Sequence, residues 1–395
     1  MNLLLNTESL TPPITGVGNY TLNVLRGLRE LELLDSIECF SGSSFETVEQ
    51  AIDRASGTGR AEHASASIGY RLRTLIRRLP LAYRARSMLH DLQLSKEITR
   101  RREHVYHEPN FILKAHQGPS VATIHDLSFI HYPEHHPAER VAWIGSELPK
   151  TLRRADMLIT PSEIVRQELI AELRVPADKV RSIHLGAADC FTPMNREETA
   201  SCLARHGLAH GRYVLFVASL EPRKGIDLLL DAWCALPAAM QQEFPLVLAG
   251  APGWKNRDLL GRLKRLQETS PLRHLHYVPF DDLPTLYAGA AAFVYPSHYE
   301  GFGLPVLEAM RCGIATITTE STSMAEFTDG NALLVERGNR DALAHALYRL
   351  LDDEPYRRTL GRQGAEHARH FSWRQCARET YQVYQAAQER HRDAH

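Results

Sequence analysis

The stretch HYEGFGLPVLEAMRCG, His298 to Gly313, decides how this chain is read. It follows the apolar run Ala291–Tyr295. Two glycines, Gly301 and Gly303, and Pro305 cannot lie inside a helix without destabilising it. Glu300 therefore precedes a tight turn and Glu308 follows it. Pro305 suits the first helical position, where its missing N–H is no loss, and Gly313 suits a left-handed C-terminal cap. The spacing predicts a helix over about Pro305–Cys312 whose positive end faces the turn. A strand, a glycine turn and a helix make the repeating element of a parallel α/β sheet. Folding alone gives little reason for a glutamate on each side of that turn. A ligand lying across it does.

The same alternation extends along the chain. Leu3–Leu5, Ser120–Ile124, Met157–Thr160 and Val180–His184 read as strands of a first half. Tyr213–Ala218, Leu246–Ala249, Leu275–Val278, Ala291–Tyr295 and Ala315–Thr318 read as strands of a second. Amphipathic helices are expected at Tyr20–Leu34, Ser162–Leu173, Ile226–Leu236, Arg257–Glu268, Leu283–Gly289 and Asp341–Asp352. Polar residues and Pro193 gather between Gly186 and Gly211, where the alternation breaks. A length of 395 residues exceeds what one core usually supports, so two doubly wound α/β domains are expected. The predicted partition is 1–190, 191–371 and a final helix over 372–395 that crosses back onto the first domain. Ligands of such sheets bind beyond the carboxyl ends of the strands, so two facing domains would form one cleft.

Composition narrows the class. Hydrophobic residues at 44% and charged residues at 24% are ordinary for a soluble enzyme. A formal net charge of −1 gives no footprint for nucleic acid. The six cysteines (39, 190, 202, 234, 312, 376) have neither disulfide-framework nor metal-ligand spacing, which favours a reducing cytosol. MNLLLNTESL lacks a basic leader, and no run reaches the roughly 20 apolar residues of a membrane span. A cytoplasmic protein is expected, at most peripheral at the cytoplasmic face of the inner membrane. Charge is uneven locally: between Arg71 and Arg86 stand six arginines and no acid, interleaved with leucines, Ile76 and Tyr83. That pattern fits a solvated helix face or a patch for anionic headgroups.

Four loops carry chemistry. In TPPITGVGNYTLNVL, Gly16-Val17-Gly18 precedes a helix and lets backbone N–H groups approach an anion. Thr21 stands where a dinucleotide fingerprint needs its third glycine, so an NAD site is poorly supported. In VATIHDLSFI, His125 and Asp126 end a strand; the imidazole can hydrogen-bond a substrate hydroxyl, and Asp126 either joins it or caps the next segment. In VLFVASLEPRKGIDLLLDAW, Arg223 and Lys224 stand at a helix start, where adjacent cations oppose the helix dipole unless an anion is present. A diphosphate fits an arginine fork beside a lysine point charge. The fourth loop is the opening stretch, whose free N–H groups around Gly303 and Leu304 cradle phosphate. Carboxylates repel phosphate but accept from hydroxyls. Glu308 would then read a ribose diol and Glu300 the sugar at the other end of a diphosphate.

On these stretches, with RRADMLITPSEIVRQEL, YVPFDDLPTLYAGAAAFVYPS and a late FSW, the chain resembles a retaining glycosyltransferase of the GT-B fold. The family is the large one of bacterial mannosyltransferases, glycosyltransferase family 4. The resemblance runs nearly end to end and implies two Rossmann-like domains. It implies that Gly16, Val17 and Gly18 approach the donor's sugar and phosphates, with Asp126 also on the donor, that His125 sits at the reaction centre against the transferred sugar, and that Arg223 and Lys224 hold the diphosphate. His125, Arg223, Lys224 and Glu300 are the catalytic residues implied, Glu300 serving either a front-face or a double-displacement route. It further implies that Tyr277 and Val278 meet the nucleobase, that Gly301, Phe302, Gly303 and Leu304 meet sugar and phosphate, and that Glu308 binds the ribose. Ser219 stands where relatives have the second residue of a Gly-Thr or Gly-Arg pair and is assigned to the donor. No metal and no cofactor are implied; the substrate is a GDP- or UDP-linked sugar, with GDP-mannose first. The acceptor implied is a glycan or lipid-linked glycan of cell-surface polysaccharide, and no nucleic acid. A nucleotide-sugar epimerase and a catalytically silent binding subunit of the same fold are the alternatives; a phosphorylase would need a pyridoxal phosphate lysine, for which no distinctive site stands out.

Overall fold

The structure, a computed structural model, describes residues 1–12, 14–42, 44–56, 101–251, 253 and 257–394. The basic stretch 71–86 lies outside the described residues. Two compact units emerge, one formed by Met1–Leu185 with Trp373–His395 and the other by Gly186–Ser372.

The first unit is built on β1 (Asn2–Asn6), β2 (Ser36–Phe40), β3 (Phe45–Glu46), β4 (Val105–Glu108), β5 (Ser120–Thr123), β6 (Met157–Thr160) and β7 (Val180–Ser182). Their order in the sheet is β3-β2-β1-β4-β5-β6-β7, parallel except for β3 on the edge. Order reverses at β1, which pairs with both β2 and β4. The helix Trp373–Ala394 belongs to this unit. It buries Trp373, Cys376, Ala377, Thr380, Val383, Tyr384 and Ala387, a spacing of three and four that forms one helix face. Tyr384 Oη lies 2.8 Å from His107 Nδ1 and so ties the helix to β4.

The second unit is built on β8 (Val214–Val217), β9 (Leu246–Ala249), β10 (Leu272–His274), β11 (Ala292–Tyr295), β12 (Thr316–Thr319) and β13 (Leu333–Val335). The order β10-β9-β8-β11-β12-β13 is parallel throughout. LVLA of β9 and AFVY of β11 are buried at every position, which is why they read as continuous apolar runs rather than alternating ones. Here the order reverses at β8, between β9 and β11. The loops that leave β8 and β11 therefore flank the point where such sheets bind ligands.

Several expectations shift. The expected strand Leu275–Val278 is instead Leu272–His274, because His276 takes a left-handed backbone (φ 52°) that ends the extended run. The expected first helix begins earlier, at Gly16, and ends at Leu31 with Glu32 in a left-handed cap. The helix of the opening stretch spans Leu304–Arg311, so Pro305 sits one position further in than expected. The unit boundary falls at 185/186 rather than 190/191, since Ala187 pairs with Ser372 and both join the second unit. Sequence reading passed over β4 altogether. VYHE alternates no apolar face, yet all four residues are buried, with His107 and Glu108 satisfied by hydrogen bonds.

Candidate functional site

After β8 the chain enters a short 3-10 turn, Pro222–Lys224, and then Gly225 opens the helix Ile226–Cys234. Gly225 has φ 69°, and a Cβ there would lie 2.1 Å from the Pro296 carbonyl oxygen. Only glycine permits this approach of the β8 loop to the β11 loop. The approach is hydrogen-bonded: the His298 N–H donates to the Arg223 carbonyl at 2.9 Å, and Ser297 Oγ lies 3.1 Å from the same oxygen.

Glu300 is the electrostatic hub of the two loops. Its Oε1 takes Lys224 Nζ at 2.6 Å, Ser297 Oγ at 2.7 Å, Tyr295 Oη at 3.2 Å and the Arg223 guanidinium at 3.3 Å. Lys224 also donates to Tyr295 Oη at 3.1 Å, and Arg223 donates to the Tyr299 carbonyl. Arg223, Lys224 and Glu300 are each less than a tenth exposed. Burial by itself would push the Glu300 carboxyl up, but Arg223 and Lys224 outweigh it and hold it at about 2. Burial, with Arg223 alongside, lowers Lys224. The sequence reading turned Glu300 toward a sugar hydroxyl. The structure adds a partner set that reading lacked, in which Glu300 is the counter-charge of the two cations.

The turn after Glu300 is shaped from behind. Ser323 Oγ lies 2.7 Å from the Glu300 carbonyl and 3.2 Å from that of Phe302, while the Phe302 ring stacks on Phe327 at 4.5 Å. Gly303 caps the Leu304–Arg311 helix with φ 102°, and a Cβ there would lie 2.5 Å from Met324 Cγ. Among the described residues no hydrogen bond takes the N–H of Gly303 or Leu304, the positive end of the helix. Gly301 is buried in the same turn.

Glu308 lies one turn further along this helix and is buried. Tyr287 Oη donates to its Oε2 at 2.9 Å. Burial raises the Glu308 carboxyl to about 7, against the smaller opposite pull of that hydrogen bond. The two glutamates, eight positions apart, thus hold opposite electrostatic states. One is a locked anion among cations; the other is raised by burial, with no ion pair to a cation among the described residues. Around them, Val278 is buried, whereas Tyr277 is 71% exposed. Ser219 is exposed and donates to Glu221 Oε1 at 2.9 Å.

In the first unit, His125 and Asp126 follow β5. His125 Nε2 lies 2.7 Å from the Pro109 carbonyl, which can only accept, so the proton sits on Nε2 and Nδ1 carries the lone pair. Its edge meets Tyr20 at 5.0 Å and 83°. Burial lowers its pKa, against the Pro109 carbonyl and Asp126, which raise it. Asp126 Oδ1 accepts from Ser128 N and Oγ at 2.9 and 2.7 Å, an Asx turn one residue before Leu127, the N-cap of the short helix Ser128–His131. Gly16, Val17 and Gly18 form the first turn of their helix rather than a loop before it. Thr15 provides no side-chain cap, and the first backbone bond is Asn19 N–H to the Thr15 carbonyl. Among the described residues no hydrogen bond takes the N–H groups of that first turn.

Sequence reasoning missed Tyr287, Tyr295, Ser297 and Ser323. Tyr287 read only as part of an apolar helix, and nothing local signals that its hydroxyl meets a glutamate from another helix. Residues 205–367 match the family described as Glycosyl transferases group 1, and residues 14–188 match Glycosyltransferase Family 4. The chain is 33% identical to the O-antigen chain mannosyltransferase B of Escherichia coli, over 97% of this chain and 99% of that protein. Anabaena HepE, solved in complex with UDP and glucose, superposes with a TM-score of 0.68 at 17% identity, over 97% of this chain and 99% of that one. WaaG, a glycosyltransferase involved in lipopolysaccharide biosynthesis, gives a TM-score of 0.68 at 12% identity over 97% and 99%. The fold is that of the GT-B class, α/β with two Rossmann-like sheets.

Proposed function

Because the chain belongs to glycosyltransferase family 4 and is a hexosyltransferase, we propose that it moves mannose, or a closely related hexose, from a nucleotide diphospho-sugar to a glycan or lipid-linked glycan hydroxyl in cell-surface polysaccharide synthesis. GDP-mannose is the donor assigned. The observation that carries the donor site is the pair of buried cations, Arg223 and Lys224, on Glu300, the residue that enters the turn whose Gly303 and Leu304 N–H groups take no hydrogen bond among the described residues. Both sets favour the same chemistry, an anion with several oxygens.

During transfer the bond between the anomeric carbon and the phosphate oxygen breaks, and a bond to the acceptor oxygen forms on the same face. The acceptor's proton leaves with the phosphate or solvent. Negative charge grows on the departing diphosphate, where Arg223 and Lys224 stabilise it without reorganising, since Glu300 already fixes them. In this reading the two cations do the work a divalent metal would do. A carboxylate held at about 2 and surrounded by donors is a weak base and a poor nucleophile, which makes Glu300 a positioning residue. Glu308 accepts from the ribose diol; in the first unit, His125 Nδ1 keeps a lone pair that a sugar hydroxyl can donate to.

The decisive experiment is a donor screen with detection of released nucleotide, joined to melting curves with GDP and UDP. GDP release from GDP-mannose with acceptor, and a GDP-induced rise in melting temperature that Arg223→Ala abolishes, are expected. A new nucleotide sugar without nucleotide release would point to an epimerase instead. No melting shift with either nucleotide would overturn the donor site. No helix among the described residues is long and apolar enough to cross a membrane. Contact with a membrane surface through 71–86 is part of the proposal, and sedimentation with anionic liposomes tests it.

A further inference from the structure

The second unit carries another cluster of titratable side chains, which the donor site does not use. Cys202 lies one turn before the end of the helix Arg196–Arg205, and His206 is that helix's C-cap. Asp282 stands at the cap of the helix Leu283–Ala288. One ligand atom from each of Cys202, His206 and Asp282 lies within 4.8 Å of the other two. His206 Nε2 is 3.0 Å from Asp282 Oδ2, and the Cys202 thiol also hydrogen-bonds this carboxylate. Arg205 Nη2 donates to the other oxygen, Oδ1, at 2.6 Å.

An ion pair of Asp282 with Arg205 and His206 would not call for a sulfur. Here Cys202 is 7% exposed with its thiol hydrogen-bonded to the carboxylate, while the His206 and Asp282 side chains are 18% and 17% exposed. Thiolate, imidazole and carboxylate converging from two rigid helix ends match the ligand types and number of a zinc site that keeps one position open. One thiolate and one carboxylate offset the two charges of the cation, and Arg205 leaves the cluster with a single positive charge. The guanidinium on Oδ1 acts as the outer partner that orients a ligating carboxylate. The sequence hides the site, because Cys202 and His206 span a single turn and Asp282 lies 76 positions beyond His206.

We propose that Cys202, His206 and Asp282 bind a divalent cation of the zinc type, with water in the fourth position. On binding, the thiol proton passes to solvent, and the imidazole ligates through one nitrogen while the other keeps its proton. The cation braces the Arg196–Arg205 helix against the Leu283–Ala288 helix, which carries Tyr287, the donor to Glu308. This site is independent of the sugar and nucleotide assigned above.

The full-length chain, stripped of metal by chelation, is titrated with Co2+ and followed by near-ultraviolet absorbance. Its melting temperature is measured with and without Zn2+. A stoichiometric sulfur-to-cobalt charge-transfer band and a Zn2+-induced rise in melting temperature are expected. Both should be lost in Cys202→Ser. His206→Asn can still donate to Asp282, so it should melt like metal-free wild type and also lose the band. No band in wild type overturns the proposal. So does a band that persists in Cys202→Ser and disappears in Cys190→Ser or Cys234→Ser, which marks adventitious binding at an exposed thiol.

Discussion

Glu308→Gln separates the energetic role of this carboxylate from its proposed role in binding. Glu308 is buried beside Tyr287 with no cation, and its carboxyl is raised from the ordinary 4.5 to about 7. Below the ordinary value both folded and unfolded chains carry the proton, and there is no penalty. As pH rises from 4.5 toward about 7, the unfolded chain releases its proton first, and stability falls. Each pH unit corresponds to about 1.4 kcal/mol, so the loss approaches about 3 kcal/mol and then levels off. Glutamine keeps the shape and can still accept from Tyr287 but cannot ionise. Urea unfolding of both proteins should show the variant more stable by about 3 kcal/mol near pH 8 and within about 0.5 kcal/mol near pH 4.5. Taking the difference between variant and wild type cancels other groups, including Glu108, which burial also raises to about 7. The same variant should lose most of the GDP-induced melting shift, because an amide oxygen is a weaker acceptor for a diol than a carboxylate. A stability difference that does not change with pH would refute the buried, uncompensated carboxylate; a full nucleotide shift in the variant would refute the ribose role.

Glu300→Gln removes the nearest counter-charge of the buried Arg223 and Lys224 and leaves Glu221 Oε2, 4.0 Å from Arg223, as the remaining carboxylate, so the nucleotide-free protein should lose about 3 kcal/mol. GDP should then raise its melting temperature more than it raises that of wild type, and an equal or smaller rise would count against the counter-charge role. Tyr287→Phe removes the one hydrogen bond that lowers the Glu308 carboxyl. Nucleotide affinity measured by calorimetry near pH 7 should fall by about 1 kcal/mol, roughly fivefold, while unchanged affinity would detach Tyr287 from the site. Gly303→Ala places a Cβ at φ 102° and 2.5 Å from Met324 Cγ, so unfolding stability should drop by about 1–3 kcal/mol in urea titrations. A neutral result there would mean the turn relaxes more readily than its packing suggests.

Local chemistry along the chain is legible in its own residues. Apolar runs such as LVLA and AFVY, the Gly-Phe-Gly-Leu-Pro turn and the Glu-Pro-Arg-Lys-Gly loop declare strands, a helix start and a pair of cations after a strand from their own residues. Those signals suffice for two α/β units and for the residue types at the proposed donor site. They do not reach β4, whose buried His107 and Glu108 look polar until Tyr384, Thr123, Asn6 and Tyr106 supply their hydrogen bonds. Nor do they say that Glu300 neutralises Lys224, 76 positions away, or that Tyr287 holds Glu308. The order β9-β8-β11 brings these groups together by laying strands distant in sequence side by side. Side-chain type and local turn geometry are properties of neighbouring residues, so the sequence carries them openly. Which charges share a buried, low-dielectric space depends on strand order, and only the folded sheet determines that.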